Sequence, residues 1–365
     1  MVRKAMQAGL VMKTRNSQLG MALLILVFFL ALVATAYGVQ SLNATNIKNE
    51  RDKKTALSLA EAKAALIGWS ARQTTVPGSL PCTDSNNGGS LVTAFPITQN
   101  CAAYIGHLPW KTLEISDLRD GDGECLWYAL SPVYRSAISA ASRNAANKIN
   151  NTVPGTITIK SANGVNLPAP INPIIAVIIA PGASLSGQNH NNVGVTQCGG
   201  NITASNYLDS ANGVNNATGN VSGNNYIFTT GDSSSTFNDK IAYITAEELY
   251  RAVRGRMVKE ILGNVNVLAG PAKYYSLNGN YPCPASTPAG ASMASPCLSS
   301  TGYANNSLAM GLQYASLGSW LANNGWFTNA TYSYTNPTSV KLTIADGLGS
   351  YSCLANSNTF TCSSP

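Results

Sequence analysis

Residues 16–40 read NSQLGMALLILVFFLALVATAYGVQ, and this stretch decides the architecture that the rest of the chain can have. A polar leader ends at Gly20, and nineteen uncharged, mostly apolar residues follow from Met21 to Val39. As a helix rising ~1.5 Å per residue, such a run reaches about 28 Å, close to the roughly 30 Å of a bilayer core. The leader has no acidic residue, and its positive charges are those of Arg3, Lys4, Lys13 and Arg15. These charges predict a cytoplasmic leader and an outward-facing remainder.

Three hypotheses fit this stretch. A secretory signal peptide would be cut near Ala34-Thr35-Ala36, and a plain membrane anchor would not be cut. In the third hypothesis the leader alone is removed, after Gly20, and the apolar run survives as the start of a long helix. The third is favoured because no proline occurs between Met21 and Val76 and because apolar residues continue at helical spacing. Those residues are Ala56, Leu59, Ala62, Leu66 and Trp69.

The residues around Gly20 carry a resemblance to a known family. Gln18-Leu19-Gly20, followed by the residues MALLI of positions 21–25, resembles the prepilin-peptidase site of type IV pilins and type II secretion pseudopilins. The resemblance implies removal of residues 1–20, methylation of Met21, and assembly into a filament. Ile25 departs from the pattern, because most members have Glu there. In this respect the chain resembles the minor pseudopilin at the filament tip, which is the subunit of the family that lacks this Glu.

The resemblance also implies the fold class and the partners. We expect an α+β, pilin-like fold with a long N-terminal helix over 21–75, transmembrane over 21–39, packed on an antiparallel β-sheet. The expected partners are other pilin or pseudopilin subunits, the prepilin peptidase, the inner-membrane assembly platform and membrane lipid.

An internal duplication is predicted from the order of features in the two halves. Each half runs from a helix through Pro-Cys and a polar loop to a second Cys, then through a Tyr and a Trp into strands. The Tyr and Trp are Tyr104 and Trp110 in the first half and Tyr314 and Trp320 in the second. We therefore expect two pilin-like heads, 76–240 and 241–365, the first with a polar insertion over 184–238.

Local patterns predict the other elements. Residues 156–159, 174–179 and 221–230 are expected to form strands in the first head, the second of them buried on both faces. A helix is expected to begin at the capping-box sequence Thr245–Glu248 and run to about Leu268. Strands over 331–334 and 340–344 and a hairpin over 353–362 should follow.

Eight cysteines lie on the outward side of the apolar run, which argues for disulfides. Local spacing favours Cys82 with Cys101, Cys283 with Cys297 and Cys353 with Cys362, which leaves Cys125 with Cys198. No C-x-x-C occurs, so a thiol redox motif has little support.

Composition bears on function by exclusion. Charged residues make up 11% of the chain, and because the leader holds four positive charges, removing it lowers the formal charge from +7 to +3. No nucleic-acid surface is indicated. No catalytic motif occurs, so we predict that the protein is not an enzyme. Of the two histidines, His107, which precedes Leu108-Pro109-Trp110, is predicted to be a packing or loop residue, and His190 is predicted to lie in a polar, solvated loop.

One acidic cluster could bind a cation. Four carboxylates lie close in sequence around Gly121 and Gly123, and Ca²⁺ takes six to eight oxygen ligands. They belong to Asp117, Asp120, Asp122 and Glu124. The alternative is an acidic turn with Arg119 as its partner. The segment 117–128 also resembles the turn and strand that open the sheet of the major pseudopilin, with Asp122 in place of the usual Trp.

Together these features predict a structural subunit, minor and possibly at the tip, of a type IV pilus or type II secretion-type filament. It would cross the inner membrane once with its C-terminal part in the periplasm, and would later lie in a filament. The alternative is a membrane-anchored periplasmic binding protein or adhesin that does not polymerise.

Overall fold

The computed structural model describes most of the chain. The described residues are 15–94, 99–161, 163–167, 174–190, 198, 201–263, 270–288, 297, 299–304, 318–346, 349–357 and 359–363. Within these ranges the side chains of 15–25, 27, 29, 31–44 and 346 lie outside the description. The chain divides into two units, Met1–Lys53 and Lys54–Pro365.

A single helix, α1 (Arg15–Arg72), begins in the first unit. The helix ends at Arg72, three residues before the end of the predicted range 21–75, and it also includes the last residues of the leader. Leu26, Phe28 and Leu30 are exposed there. Most side chains of the predicted transmembrane segment 21–39 lie outside the described residues. Among the residues that the structure describes, no helix has both the length and the apolar content needed to cross a bilayer.

In the second unit, the last turns of α1 contribute to the core. Leu59, Ala62, Leu66 and Trp69 are buried, as their spacing predicts, whereas Ala56 is exposed. The buried face therefore begins about one turn later than the sequence pattern indicates.

The first sheet is built around a fully buried strand. Its strands are β1 (Ile105–His107), β2 (Trp127–Leu130), β3 (Ile157–Ser161), β4 (Ile174–Ala180), β7 (Tyr226–Thr230) and β8 (Lys240–Thr245). Antiparallel pairing gives the order β1-β2-β4-β8. Strands β3 and β7 pair in parallel, and β3 joins the sheet where its Ile157 pairs with Ile174 of β4. All seven residues of β4 are buried, as predicted. The two short strands β5 (Ser210–Ala211) and β6 (Val214–Asn215) form a separate hairpin.

The second sheet is a consecutive antiparallel meander. Its strands are β9 (Thr301–Gly302), β10 (Ala330–Asn336), β11 (Ser339–Asp346), β12 (Gly349–Asn356) and β13 (Thr359–Ser363). The predicted strands and the C-terminal hairpin are present. Short helices that the sequence analysis missed lie in the β1–β2 and β9–β10 connections: α2 (Trp110–Leu113), α5 (Gly318–Asn323) and α6 (Trp326–Asn329). The chain is thus of the α+β class, with one long N-terminal helix and antiparallel sheets.

Helix α3 (Ala246–Leu262) follows β8 directly. The predicted capping box is confirmed: Thr245 Oγ1 accepts the Glu248 N–H at 3.1 Å, and Glu248 Oε2 accepts the Thr245 N–H at 3.1 Å. The predicted end near Leu268 is wrong, because the helix ends at Leu262 before Gly263, whose φ is 85°. Residues 264–269 lie outside the described residues, and α4 (Gly270–Asn278) follows.

Helix α3 lies beside the last turns of α1. Lys63 Nζ is 2.6 Å from Glu248 Oε1, and Arg256 Nη1 donates to the carbonyl oxygens of Ala71 and Gln73 at 2.8 and 2.6 Å. Because the second contact lies further along both helices than the first, the two helices run parallel. Arg256 also supplies donors to carbonyls that the end of α1 leaves without intrahelical partners.

The larger of two hydrophobic cores in the second unit joins the end of α1, α3 and both sheets. It contains buried residues of α1, of α3 and of both sheets, including Leu66, Tyr128, Val253 and Tyr332. A second, smaller core covers the other face of the first sheet and includes Val177, Phe228 and Tyr207. Strand β4 is buried on both faces because it lies between these two cores.

The two Pro-Cys loops make the same set of contacts. Tyr128 on β2 donates its hydroxyl to the Pro81 carbonyl at 3.3 Å, and Tyr332 on β10 donates to the Pro282 carbonyl at 3.0 Å. Each Tyr pairs across the sheet with a glycine five residues after the second Cys of its loop, Gly106 or Gly302.

Further contacts of the two loops also correspond. In each loop, a β-bridge joins the residue two positions after the first Cys to the residue six positions after the second Cys. The two bridges are Asp84–His107 and Ala285–Tyr303. A Cβ added at either glycine would lie 2.7 or 2.5 Å from the carbonyl oxygen of Asp84 or Ala285. Such a distance is not tolerated, so both positions require glycine because the backbones approach closely.

We expect Arg256→Ala to lower the free energy of unfolding by about 1–3 kcal/mol, because two part-buried carbonyls lose a charged donor. Arg251→Ala is the matched control on the same helix. Its ion pair with Glu247 is exposed, so its loss should cost no more than about 0.5 kcal/mol. Denaturant unfolding of both variants measures the difference, and equal losses would contradict the role of Arg256 at the end of α1.

Candidate functional site

The acidic loop 117–124 is organised by Asp120, whose side chain is fully buried. Asp120 Oδ1 accepts the N–H groups of Asp122 and Glu124, both at 2.9 Å, and Oδ2 accepts the Gly182 N–H at 2.8 Å. Burial raises the pKa of this carboxyl, while the three backbone hydrogen bonds oppose the rise. Asp120 therefore fixes the loop and joins it to the segment that follows β4.

Asp117 is also occupied by protein donors. Arg119 Nη2 lies 3.2 Å from Asp117 Oδ2, and the Cys198 N–H donates to the same oxygen at 3.2 Å. Arg119 Nη1 donates to the Gly123 carbonyl at 3.1 Å. This is the arrangement expected for an acidic turn with Arg119 as its partner.

The predicted calcium ligands thus lie in one loop but hold different partners. Asp117 and Asp120 bind backbone and guanidinium N–H groups, and Glu124 Oε1 lies 3.1 Å from His190 Nδ1. In the described part of the chain, no three His, Cys, Asp or Glu side chains are gathered as metal ligands would be. Calcium binding by Asp117, Asp120, Asp122 and Glu124 stays a prediction.

The loop is attached to helix α1 by two hydrogen bonds. Ser58 Oγ donates to the Arg119 carbonyl at 2.7 Å, and the Gly121 N–H donates to Thr55 Oγ1 at 2.9 Å. Both helix residues belong to the second unit. The acidic loop therefore fixes the helix segment on which the core of that unit depends.

All four disulfides form with the predicted pairing: Cys82–Cys101, Cys125–Cys198, Cys283–Cys297 and Cys353–Cys362. The bond between Cys125 and Cys198 spans 73 residues and ties the insertion to the end of the acidic loop.

His107 is a buried packing residue, which is one of the two roles predicted for it. Its ring lies 4.3 Å from that of Trp127, and Asn87 Oδ1 is 2.9 Å from its Nδ1. Burial lowers the pKa of His107 to about 4, so the ring is neutral at physiological pH.

The prediction that His190 is solvated is wrong. It is only 7% exposed, stacks on Tyr207 at 4.5 Å, and lies 3.1 Å from both Glu124 Oε1 and Gln188 Oε1. The polar sequence around it indicated solvent, but the insertion folds back over the first sheet and encloses the ring.

Sequence reasoning also missed the anchor of the insertion. Asp209 and Asp239 are buried and bound to each other's backbone, although nothing in their sequence neighbourhoods indicates burial. The β5–β6 hairpin was missed as well, and here a signal existed. Asn212-Gly213, with φ of 47° and 74°, is the dipeptide typical of a two-residue hairpin turn.

The predicted processing residues, Gly20 and Met21, lie within α1, and their side chains are outside the described residues. We compared the chain with protein-family models, with curated proteins and with solved structures, and none of them matches.

We expect Asp120→Ala to lower the free energy of unfolding by about 2–4 kcal/mol, because three N–H groups lose their acceptor in a buried place. Glu114→Gln is the control, since Glu114 lies in an exposed, 3.9 Å ion pair with Arg72 and should contribute less than about 0.5 kcal/mol. Chemical denaturation gives both values. A loss for Asp120→Ala as small as that of the control would show that the loop does not depend on this carboxylate.

Proposed function

We propose that the protein is a minor, possibly tip-located, subunit of a type IV pilus or type II secretion-type filament, processed after Gly20. The observation that carries the proposal is α1, one uninterrupted helix of 58 residues. It contains the QLG-MALLI motif and the apolar run, and its last turns supply Leu59, Leu66 and Trp69 to the core of the second unit. A separately folded anchor would have no reason to share its helix with the globular core.

The proposed mechanism is mechanical. Before assembly, the apolar segment 21–39 lies in the inner membrane and the rest of the chain in the periplasm. During assembly, the segment leaves lipid and packs against neighbouring subunits. Lipid contact is then exchanged for protein contact, which costs little because both surroundings are apolar. Ile25 cannot form the ion pair that the usual Glu makes with the amine of the adjacent subunit, which suits a subunit with nothing above it.

We further propose that the second unit contains two pilin-like heads related by duplication. The corresponding Tyr-to-Pro hydrogen bonds, glycine pairings and loop bridges support this. So do the meanders β1-β2-β4-β8 and β9-β10-β11-β12, which have the same order and antiparallel sense. Gly78 and Gly279 both adopt positive φ four residues before the first Cys of their loops. Tyr314, which belongs to the repeated order of features in the sequence, lies outside the described residues.

The duplication predicts equal roles for the two tyrosine hydroxyls. Tyr128→Phe and Tyr332→Phe should each lower the free energy of unfolding by about 1–2 kcal/mol, because each leaves a buried carbonyl without its donor. Tyr334→Phe is the control on β10, because its partly exposed ring has no hydroxyl hydrogen bond among the described contacts; its effect should stay within about 0.5 kcal/mol. Thermal and denaturant unfolding measure all three. A large loss for one tyrosine with none for the other would contradict the equivalence.

Processing is tested on the mature protein from its native host. We expect a chain that begins at N-methylated Met21, measured by N-terminal sequencing and mass spectrometry. Gly20→Arg should leave the leader attached, because a long charged side chain replaces the small residue at the cut, whereas Ser17→Ala should be processed normally.

Two outcomes would contradict the filament proposal. A chain beginning at Met1 would indicate a fixed anchor, as in the alternative of a periplasmic binding protein or adhesin. One beginning at Tyr37 would indicate a cleaved secretory peptide. Chromosomal neighbours encoding a prepilin peptidase or an assembly platform would add independent support.

A further inference from the structure

Asp209 and Asp239 are bound to each other in a reciprocal way. The Asp209 N–H donates to Asp239 Oδ2 at 2.9 Å, and the Asp239 N–H donates to Asp209 Oδ2 at 3.2 Å. The Asn238 N–H adds a third bond to Asp209 Oδ2 at 2.6 Å. The two carboxyl groups are therefore held close together by the backbone of the residues that carry them.

Two amide side chains extend this contact to the rest of the insertion. Asn216 Nδ2 donates to Asp239 Oδ2 and to the Thr229 carbonyl, both at 2.8 Å. Gln188 Nε2 donates to Asp209 Oδ1 at 2.8 Å. The Asp209–Asp239 pair thus joins Gln188 and Asn216 to β7 and to the start of β8.

The pair is buried and forms no ion pair with a lysine or arginine among the described residues. Asp209 is 5% exposed and Asp239 is not exposed at all. In the described ranges, no Lys or Arg nitrogen lies within 4 Å of either carboxylate, and Asp239 Oδ1 has no hydrogen-bond partner. Among the described residues, the titratable side chains outside the pair whose charge affects it are Asp120 and His190. Glu124 binds His190, and Lys240, although next to Asp239 in sequence, donates to the Gly231 carbonyl.

Two ionised carboxylates in such surroundings repel each other strongly. Burial raises the pKa of Asp239 well above its ordinary range, and the charge of Asp209 adds to the rise. Burial also raises the pKa of Asp209, although hydrogen bonds from Asn238, Asp239 and Gln188 and the nearby His190 oppose it. The pair therefore retains a proton at a pH where ordinary carboxyl groups have lost theirs.

We propose that the Asp209–Asp239 pair is a pH-sensitive attachment that holds the insertion against the first sheet while it carries a proton and loosens when both carboxyls ionise. The folded state binds this proton more tightly than the unfolded state does. The stabilisation is therefore complete below the ordinary carboxyl pKa and is lost as the pH rises through the raised pKa of the pair.

The covalent structure limits what can open. The Cys125–Cys198 disulfide keeps the insertion tied to the acidic loop at every pH. Loosening would therefore be local, and it would uncover the smaller core formed by Tyr207, Trp127 and Phe228. A protein outside the cytoplasm meets changes of pH. Through this pair, such changes would expose or cover the apolar face. The proposal does not depend on filament assembly.

Hydrogen exchange followed by mass spectrometry tests the proposal on the full-length, disulfide-bonded protein. Protection factors, corrected for intrinsic exchange rates, are measured from about pH 5 to about pH 9. We expect those of peptides from 201–239 to fall as the pH rises through the raised pKa of the pair, by up to about tenfold per pH unit, which is the limit for linkage to one proton. Those of α3 and of β10–β12 should stay constant.

Variants separate this pair from other titrating groups. Asp239→Asn keeps an oxygen acceptor for Asp209 and Asn216 but cannot ionise, so the pH dependence of the insertion should disappear. Asp209→Asn should do the same and serves if the first variant folds poorly. Asp232→Asn, an exposed carboxylate in the same insertion, should behave as the wild type does. If both Asn variants keep the wild-type pH profile, the dependence comes from another group such as His190 and the proposal is overturned. A loss of protection spread evenly over the second unit would also overturn it.

Discussion

The structure of the second unit depends on the burial of one face of α1 in a core that both sheets share. Leu59, Ala62, Leu66 and Trp69 supply that face, and α3 lies parallel to it on the same core. Removing a Leu or Trp from such a place typically costs several kcal/mol, a large part of the stability of a domain. The position of α1 against the sheets is fixed by its contacts with the acidic loop and, at its C-terminal end, with Arg256.

Polar contacts then decide how the parts of the core are held in register. The segment after β2 binds the α5–α6 region through asparagines: the Ile149 N–H donates to Asn324 Oδ1, and Asn150 Nδ2 donates to the Asn324 carbonyl, both at 2.7 Å. Arg143 is buried and has no carboxylate partner among the described residues. It donates to three carbonyls, and its guanidinium lies 5.3 Å from the Trp320 ring. A chain with few charged residues thus uses amides, backbone carbonyls and aromatic faces where others use ion pairs. Such contacts need correct geometry, because an unpaired polar group in a core is costly.

The insertion is likewise held in place by polar contacts other than ion pairs. It covers the outer face of the first sheet with Tyr207 and Leu208, and it is anchored by carboxylates and amides. The polar composition of the insertion indicated a long surface loop. Because the insertion instead covers the outer face of the first sheet, β4 becomes an interior strand. The apolar sequence of β4 was the sign that something must cover both of its faces, although that sign did not tell which segment does so.

The sequence by itself determined what rests on short-range patterns. Helical spacing before Val76-Pro77 gave the end of α1, the order Thr-x-x-Glu gave the start of α3, and cysteine spacing gave three of the disulfide pairs, because each depends on residues close along the chain. The fourth disulfide, Cys125–Cys198, followed only as the remaining pair. The tertiary structure alone decided that His190 is enclosed, that Asp209 and Asp239 are buried together, and that Cys198 and Gly182 donate their N–H groups to the acidic loop. These outcomes depend on contacts between residues about 30 to 80 positions apart. No local pattern encodes them, because the desolvation of a polar side chain depends on which distant segment covers it.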